Sequence, residues 1–394
     1  ALRCGDSLVG LTREQIEGFH WQPTKQLELV RSTIAARLAQ AIHLRAKIQA
    51  GGDDLGYDER RLLLKEADEA LDDVRLVADM IACAFFEKDS ARAREVNRAD
   101  FAARVDAFLR TRENFNQLRS RTDALRAGDK GLTPFHWEIE FPEVFVREDP
   151  GFDAIVGNPP FLGGRKISTA YGLPYFEMLR LTYAPAGNTC DLVAYFFRRA
   201  FSLLAGRGRM GLIATNTIAQ GDTRCGGLEV IRSYGGQIYS ARKRYPWPGE
   251  AGVIVSVLHI SKAGEATAAS LDGRHVQSIS AFLFPGAHDA APARLSENEG
   301  VFSLGSYIYG AGFVFDDDDP KANPCSVLKD IELQEPHARR RVYPYIGGEE
   351  VNDDPGQRPR RWVIFLSDLR EEADLRQFPS LEKIVRAHVK PLRE

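Results

Sequence analysis

The chain has 394 residues, of which 44% are hydrophobic and 27% charged, with a formal net charge of −3. This is an ordinary globular composition, long enough for two or three domains, and it excludes a uniformly basic nucleic-acid coat while leaving room for a local basic face. Five dispersed cysteines (Cys4, Cys83, Cys190, Cys225 and Cys325) form no CxxC pair, which fits reduced thiols in a cytoplasmic protein better than a disulfide framework or a zinc site. No apolar run approaches the roughly 20 residues of a membrane span, so no membrane partner is expected.

In chain order, residues 1–20 read as the end of a sheet, because LRCGDSLVG is strand-like with no strand before it. Residues 21–133 turn helical. Leu27, Val30, Ile34, Leu38 and Ile42 recur at three- and four-residue spacing; Leu71, Val74, Val77 and Ile81 continue the pattern, then Phe101, Val105, Phe108 and Leu109. Gly51-Gly52 and Gly128 break these helices, and dense charge on the outer faces predicts a solvated antiparallel bundle.

From 134 to 262 strands and helices alternate. DAIVG (153–157) reads as a strand, DLVAYFFRRAFSLLAGRG (191–208) as an amphipathic helix ended by glycine, and RMGLIATNT (209–217) as a strand. GGLEVIRSYGG (226–236) reads as a short helix, and QIYSARK (237–243) and GVIVSVLHI (252–260) as two further strands. Continuous apolar strands between helices predict a sheet covered on both faces, hence an α/β fold. Residues 263–394 change to short strands and glycine-rich turns (GSYIYGAGFVF, YPYIGGEEV, RRWVIFLSD) and read as a separate mixed α+β domain.

The stretch GFDAIVGNPPF (151–161) carries the most chemistry. Its strand must stop at Asn158, since Pro159 and Pro160 remove two backbone donors and fix two φ angles. The residue before a proline is also held extended. A buried strand thus runs into a stiff loop at its carboxyl end, where open α/β sheets hold ligands. The Asn158 side-chain oxygen and a proline carbonyl are two acceptors, which suit an exocyclic amino group with two N–H bonds to give. Phe161 adds a flat face on which a nucleic-acid base can stack, worth about 1–3 kcal/mol. Such a loop would hold a flipped-out base by its NH₂ group and keep the nitrogen lone pair from delocalising into the ring. A purely structural loop is the plainer alternative.

Other candidates carry less. The eight histidines include no HExxH and no cluster, so no metal site is expected, and His136-Trp137 reads as packing. The acidic run FDDDDP (315–320) points its side chains in alternating directions and reads as a solvated loop rather than a magnesium site. The clusters Arg339, Arg340, Arg341 and Arg358, Arg360, Arg361, the latter beside Trp362, suit DNA phosphates or an ordinary charged loop, as do Arg242–Arg244 with Tyr245 and Trp247.

The NPPF run resembles the hallmark of the amino-methylating DNA methyltransferases, an Asp/Asn/Ser-Pro-Pro-aromatic motif after the fourth strand of an S-adenosylmethionine-dependent sheet. The segment 191–224 is similar to the helix and fifth strand that follow in large adenine-N6 enzymes, and RYPWPGEAGVIVSVLHI (244–260) to their later hairpin. FHWEIEFPEVF (135–145) resembles the fused restriction–modification and phage-defence members (type IIG/IIL, BREX and DISARM methylases), and residues 343–365 resemble their target-recognition domain.

The resemblance implies a partial class I (Rossmann-like) S-adenosylmethionine-dependent methyltransferase sheet, a large helical insertion and a C-terminal target-recognition domain. Asn158 and Pro159 would hold the target adenine N6, Phe161 would stack on the base, and Pro160 would shape the loop near the methyl donor. LRCGDSLVG resembles the third-strand motif, whose acidic residue, here Asp6, meets the cofactor adenine; a plain strand-end turn is the alternative. The implied reaction is site-specific methylation of adenine N6 in double-stranded DNA, with the base flipped and with a nuclease or other defence-system subunits as further partners. The glycine-rich turn after the first strand and the acidic residue after the second are not found, and GRGRMG (206–211) lies in the wrong context for that turn. The expectation is therefore an internal fragment, with the first two strands absent, the third a stub and cofactor binding weak. A catalytically incomplete DNA-binding module and a protein glutamine methyltransferase, which also uses an Asn-Pro-Pro-aromatic loop, are the alternatives.

Overall fold

The computed structural model describes residues 2–22, 28–247, 252–263, 268–290, 308, 310–369 and 371–390. Two compact units divide the chain, Ala1–Ala291 and Pro292–Glu394. Leu27, the hairpin residues 248–251, residues 305–307 and 309 of GSYIYGAGFVF and the last four residues lie outside the described residues. Among the described residues no helix is long and apolar enough to cross a membrane.

The larger unit opens with α1 (Arg13–Glu17), whose Thr12 and Gln15 form a reciprocal capping box. Four long helices follow: α2 (Glu28–Ala50), α3 (Tyr57–Phe86), α4 (Ala91–Thr111) and α5 (Phe115–Arg126). Their apolar stripes meet as the spacing predicts: Val30, Ile34 and Leu38 of α2, Leu71, Val74 and Ile81 of α3, and Phe101, Val105 and Phe108 of α4 are all buried in one core. Ser90 caps α4 by accepting from the Ala93 amide, and α4 ends where Arg112 turns left-handed (φ 63°).

Two short helices, α6 (Trp137–Glu140) and α7 (Pro142–Phe145), lead into β1 (Phe152–Gly157). Then come α8 (Gly164–Tyr171), α9 (Leu173–Thr182), α10 (Leu192–Leu203), β2 (Leu204–Thr215), α11 (Gly221–Gly226) and α12 (Leu228–Ser233). The strands β3 (Gln237–Pro246), β4 (Ile254–Ser261), β5 (Ala269–Leu271) and β6 (Arg274–Val276) complete a six-stranded mixed sheet in the order β1-β2-β4-β3-β5-β6. β1 and β2 run parallel, with Val156 beside Gly211, while β4 runs antiparallel to both β2 and β3. This is a mixed α/β protein. β5 and β6 extend the large sheet past residue 262, into the stretch expected to belong to the C-terminal domain.

Three expected elements come out differently. LRCGDSLVG is not a strand: its one ladder contact is an isolated bridge between Asp6 and Pro134. The Asp6 carboxylate accepts from the Leu8 amide at 2.8 Å, so the Gly-Asp-Ser sequence closes a turn and withdraws that amide from any sheet. The helix that was to run through Gly208 stops at Leu203, and LAGRG starts β2. Long-range contacts decide this: Lys262 takes the Leu204 carbonyl at 2.5 Å, and the Asp149 carboxylate takes the Gly206 amide at 2.7 Å. Finally, β1 is an edge strand rather than a buried one. Among the described residues it pairs only with β2, leaving Asp153, Ala154 and Val156 exposed, Val156 at 86%.

The smaller unit holds a three-stranded antiparallel sheet in the order β7-β9-β8, formed by β7 (Val314–Phe315), β8 (Val342–Tyr345) and β9 (Arg361–Ile364). Its helices are α13 (Cys325–Gln334), α14 (Gly348–Asp353), α15 (Glu372–Leu375) and α16 (Pro379–His388). Phe315, Leu328, Ile331, Val342, Ile364, Phe378 and Leu381 form a separate core.

Candidate functional site

The loop 158–163 leaves the carboxyl end of β1, beside the carboxyl end of the parallel strand β2. Pro159 and Pro160 deny the strand further amides, so pairing ends at Gly157. Asn158 is exposed, and among the described residues its side chain has no hydrogen-bond partner. Phe161 is half-buried and packs, with Leu162, against the main core. The ring is therefore braced by the fold.

The far end of the loop is pinned to α10. The Leu162 carbonyl accepts from the Leu192 amide at 2.9 Å. Asp191 caps α10 by accepting from the Val193 amide at 3.0 Å, and its own amide donates to Thr223 Oγ1 at 3.1 Å. Burial pushes the Asp191 carboxyl up, and the backbone N–H groups of Val193 and Leu162 pull it back toward the ionised form. Gly164 permits the close approach that this anchoring needs, since a Cβ there would lie 2.5 Å from the Cys190 carbonyl oxygen. The segment it approaches is held in turn by Asp222, which accepts from both the amide (3.0 Å) and the hydroxyl (2.7 Å) of Thr189.

Behind the loop lies a cavity of about 830 Å³ whose lining includes Asp6, Lys130, Pro160, Tyr175, Leu192 and Phe196. The structure thus brings Asp6 and Pro160, far apart in the sequence, to one cavity. Asp6 is tightly fixed. Its backbone bonds both ways to the segment before α6, through Asp6 N to Thr133 O (2.6 Å) and Phe135 N to Asp6 O (3.0 Å). Its Oδ1 accepts from Leu8 and Val9 amides at 2.8 and 3.4 Å, and its Oδ2 from the Tyr175 hydroxyl at 2.9 Å. Burial raises the Asp6 carboxyl above its ordinary value, against the pull of those donors and of Arg199.

The six candidate arginines, all in the smaller unit, are not brought together as one free cationic surface. Arg341 pairs with both oxygens of Asp368 at 2.6 Å, and Arg339 with Glu332 at 2.6 Å. Arg361 makes a two-pronged bond to the buried Glu350 at 2.5 and 2.6 Å. Arg340 lies 5.2 Å over the Phe378 ring. Arg358 is exposed beside Asp354 at 3.5 Å, and Arg360 is exposed with no ion-pair partner among the described residues.

In the acidic run, Asp316 and Asp319 accept the amides of Asp318 and Lys321 and close turns, while Asp317 accepts the Cys325 amide at the start of α13. His136 is buried between the Leu11 amide (3.0 Å) and Asp79 (3.2 Å), with Arg126 on the same carboxylate, and serves packing. Sequence reasoning missed Asp191, although an aspartate directly before an amphipathic run is a helix-start signal. It also missed Tyr175 and Phe196, which no local pattern marks.

Residues 58–230 match the family model described as Eco57I restriction-modification methylase, a span that contains the NPPF loop, Tyr175, Asp191 and Phe196 but not Asp6. The matched region is thus similar to the methylases of restriction-modification systems. No curated protein matches the chain. Among solved structures, the type IIL restriction-modification enzyme MmeI in complex with DNA aligns at 16% identity and a TM-score of 0.41, over 96% of this chain and 48% of that one. The chain therefore spans about half the length of MmeI. A putative class I S-adenosylmethionine-dependent methyltransferase from Listeria monocytogenes aligns at 12% identity and a TM-score of 0.22, over 60% of this chain and 89% of that one.

Proposed function

We propose that the protein methylates adenine N6 in double-stranded DNA, with S-adenosylmethionine as methyl donor, in a restriction-modification or phage-defence setting. The observation that carries this reading is the rigid Asn158–Phe161 loop, open at Asn158 and adjoining the cavity that Asp6 lines, inside a segment matching a restriction-modification methylase family. In this reading β1, β2, β3 and β4 are the fourth to seventh strands of a class I methyltransferase sheet, and Asp6 lies in a turn outside that sheet, bridged to Pro134.

The residues present fit the adenine end of the cofactor. The cavity volume falls in the range of small-molecule sites, and its lining combines apolar Leu192, Pro160 and Phe196 with a fixed carboxylate at Asp6. Asp6 would accept from the cofactor's adenine amino group, with Phe196 and Leu192 as apolar walls. S-adenosylmethionine, when bound, supplies an electrophilic methyl group.

The chain's own residues then act by positioning. The Asn158 oxygen and the Pro159 carbonyl accept the two N–H bonds of the flipped adenine, which keeps the N6 lone pair on nitrogen and directed at the donor. Phe161, braced by the core on one side, offers its other face to the base. Of the six candidate arginines, the exposed Arg340, Arg358 and Arg360 remain the most available to DNA phosphate, and among the described residues only Arg358 of these three has an ion-pair partner.

The test is Asn158→Ala. Methyl transfer to DNA should fall to background while DNA affinity stays within a few-fold, because the lost acceptor meets only the extruded base. Undiminished turnover in this variant would contradict the assignment.

A further inference from the structure

The reading above gives Asp6 a ligand but leaves its partner Tyr175 without a role. Tyr175 is 3% exposed, sits in the first turn of α9, and stacks on Tyr171 with ring centroids 4.8 Å apart and planes at 25°. Both tyrosines line the cavity. The Tyr175 hydroxyl donates to Asp6 Oδ2, and Asp6 Oδ1 already takes two backbone amides. A carboxylate has about four acceptor positions. Three are filled by the fold, and the one left belongs to Oδ2 in the cavity wall.

We propose that Tyr175 is a positioning residue that fixes Asp6 as a single acceptor, and thereby makes the cavity prefer a 6-amino purine over its 6-oxo counterpart. This rests on the reading of the cavity as the cofactor site. An amino group gives one N–H to the remaining Oδ2 position. A 6-oxo group at the same place would set a carbonyl oxygen against a carboxylate oxygen, with no proton between them.

Tyr175 also keeps the acceptor from becoming a donor. Burial favours the protonated acid at Asp6, and the Tyr175 hydroxyl is among the groups that oppose it. The other charged or titratable groups around Asp6 are Arg199 on α10, which favours the carboxylate, Tyr183 after α9, and Cys4, Glu87, Arg121, Asp129, Lys130 and Tyr171 along the cavity. Tyr175 itself stays protonated, because burial and the Asp6 charge push its hydroxyl far above the usual tyrosine range. Without that hydroxyl, Asp6 takes up its proton at higher pH. A protonated Asp6 can donate to a 6-oxo group, so the preference should weaken as pH falls.

The experiment compares the full chain with Tyr175→Phe, which removes one oxygen atom and leaves the Tyr171 stack in place. Asp6 is titrated by carboxyl carbon NMR, assigned with Asp6→Asn. In parallel, calorimetry measures affinities for S-adenosylhomocysteine and S-inosylhomocysteine at pH 6 and pH 8. The expected result is an upward shift of the Asp6 titration in Tyr175→Phe, together with a preference for the amino ligand of about tenfold or more in the unaltered chain that shrinks in the variant, most at pH 6. An unmoved Asp6 titration overturns the proposal whatever the ligands do. A moved titration with an unchanged amino-to-oxo ratio also overturns it. Failure of the unaltered chain to bind either ligand, with the titration moved as expected, overturns the cofactor reading instead.

Discussion

In the loop after β1 the backbone is tied down and the Asn158 side chain is left open. Two prolines stop the strand, Leu162 and Asp191 lock the loop to α10, and Asn158 still points to solvent without a partner among the described residues. The arginines of the smaller unit show the reverse. Arg339, Arg341 and Arg361 are the conspicuous cations of that region, yet each is held by a carboxylate of the same unit. The difference teaches that rigidity with an unmet hydrogen-bonding group points to a ligand, whereas charge points to one only when nothing in the fold has already neutralised it.

If that contrast is right, perturbing the loop should change chemistry and perturbing the paired arginines should change stability. The largest effect is expected for Asn158→Ala, with about a 10²–10³-fold loss of methyl transfer, the scale on which lost positioning acts. A thermal melt should move little, since Asn158 is exposed. Next comes Gly164→Ala. Its added methyl would meet backbone of Thr189 and Cys190 at 2.5 Å, so the protein should lose about 1–3 kcal/mol in a denaturant titration, with turnover reduced as the loop shifts.

The smaller unit gives a pH prediction. The two-pronged bond from Arg361 holds the Glu350 carboxyl at about 2, well below the usual 4.5. A lowered pKa in the folded state means stability that is fully present above about 4.5 and is lost as pH falls toward about 2. Acid unfolding of this unit, followed by Trp362 fluorescence, should therefore steepen across that window. Glu350→Gln should flatten it and lower stability at neutral pH.

The smallest effect separates free from paired cations. Arg360→Ala should reduce the slope of log affinity for DNA against log salt by about one phosphate contact. Arg341→Ala should leave that slope unchanged while lowering the melting temperature, because its guanidinium already holds Asp368. Equal slopes for the two variants would erase the distinction drawn here.

These differences also mark what could be read from sequence. The NPPF loop was legible because proline acts on its own residue and its immediate neighbours. The helical stripes were legible because Leu71, Val74 and Ile81 encode their buried face by spacing alone. LRCGDSLVG misled because its alternation suits a strand, while the Asp6 side chain offers the Leu8 amide a nearer partner. LAGRG misled because Lys262 and Asp149, each more than 50 positions away, decide where α10 ends. The arginine clusters could not be read at all without their partners, as Glu350 lies 11 residues from Arg361 and Asp368 lies 27 from Arg341.

The central claim is that the loop delivers an adenine amino group to a methyl donor. It is tested most directly by incubating the full chain with DNA and methyl-labelled S-adenosylmethionine, digesting the DNA to nucleosides and identifying the labelled one. The account predicts label in N6-methyladenine, absent when Asn158 is alanine. Label confined to glutamine side chains of protein, or to C5-methylcytosine, would contradict it.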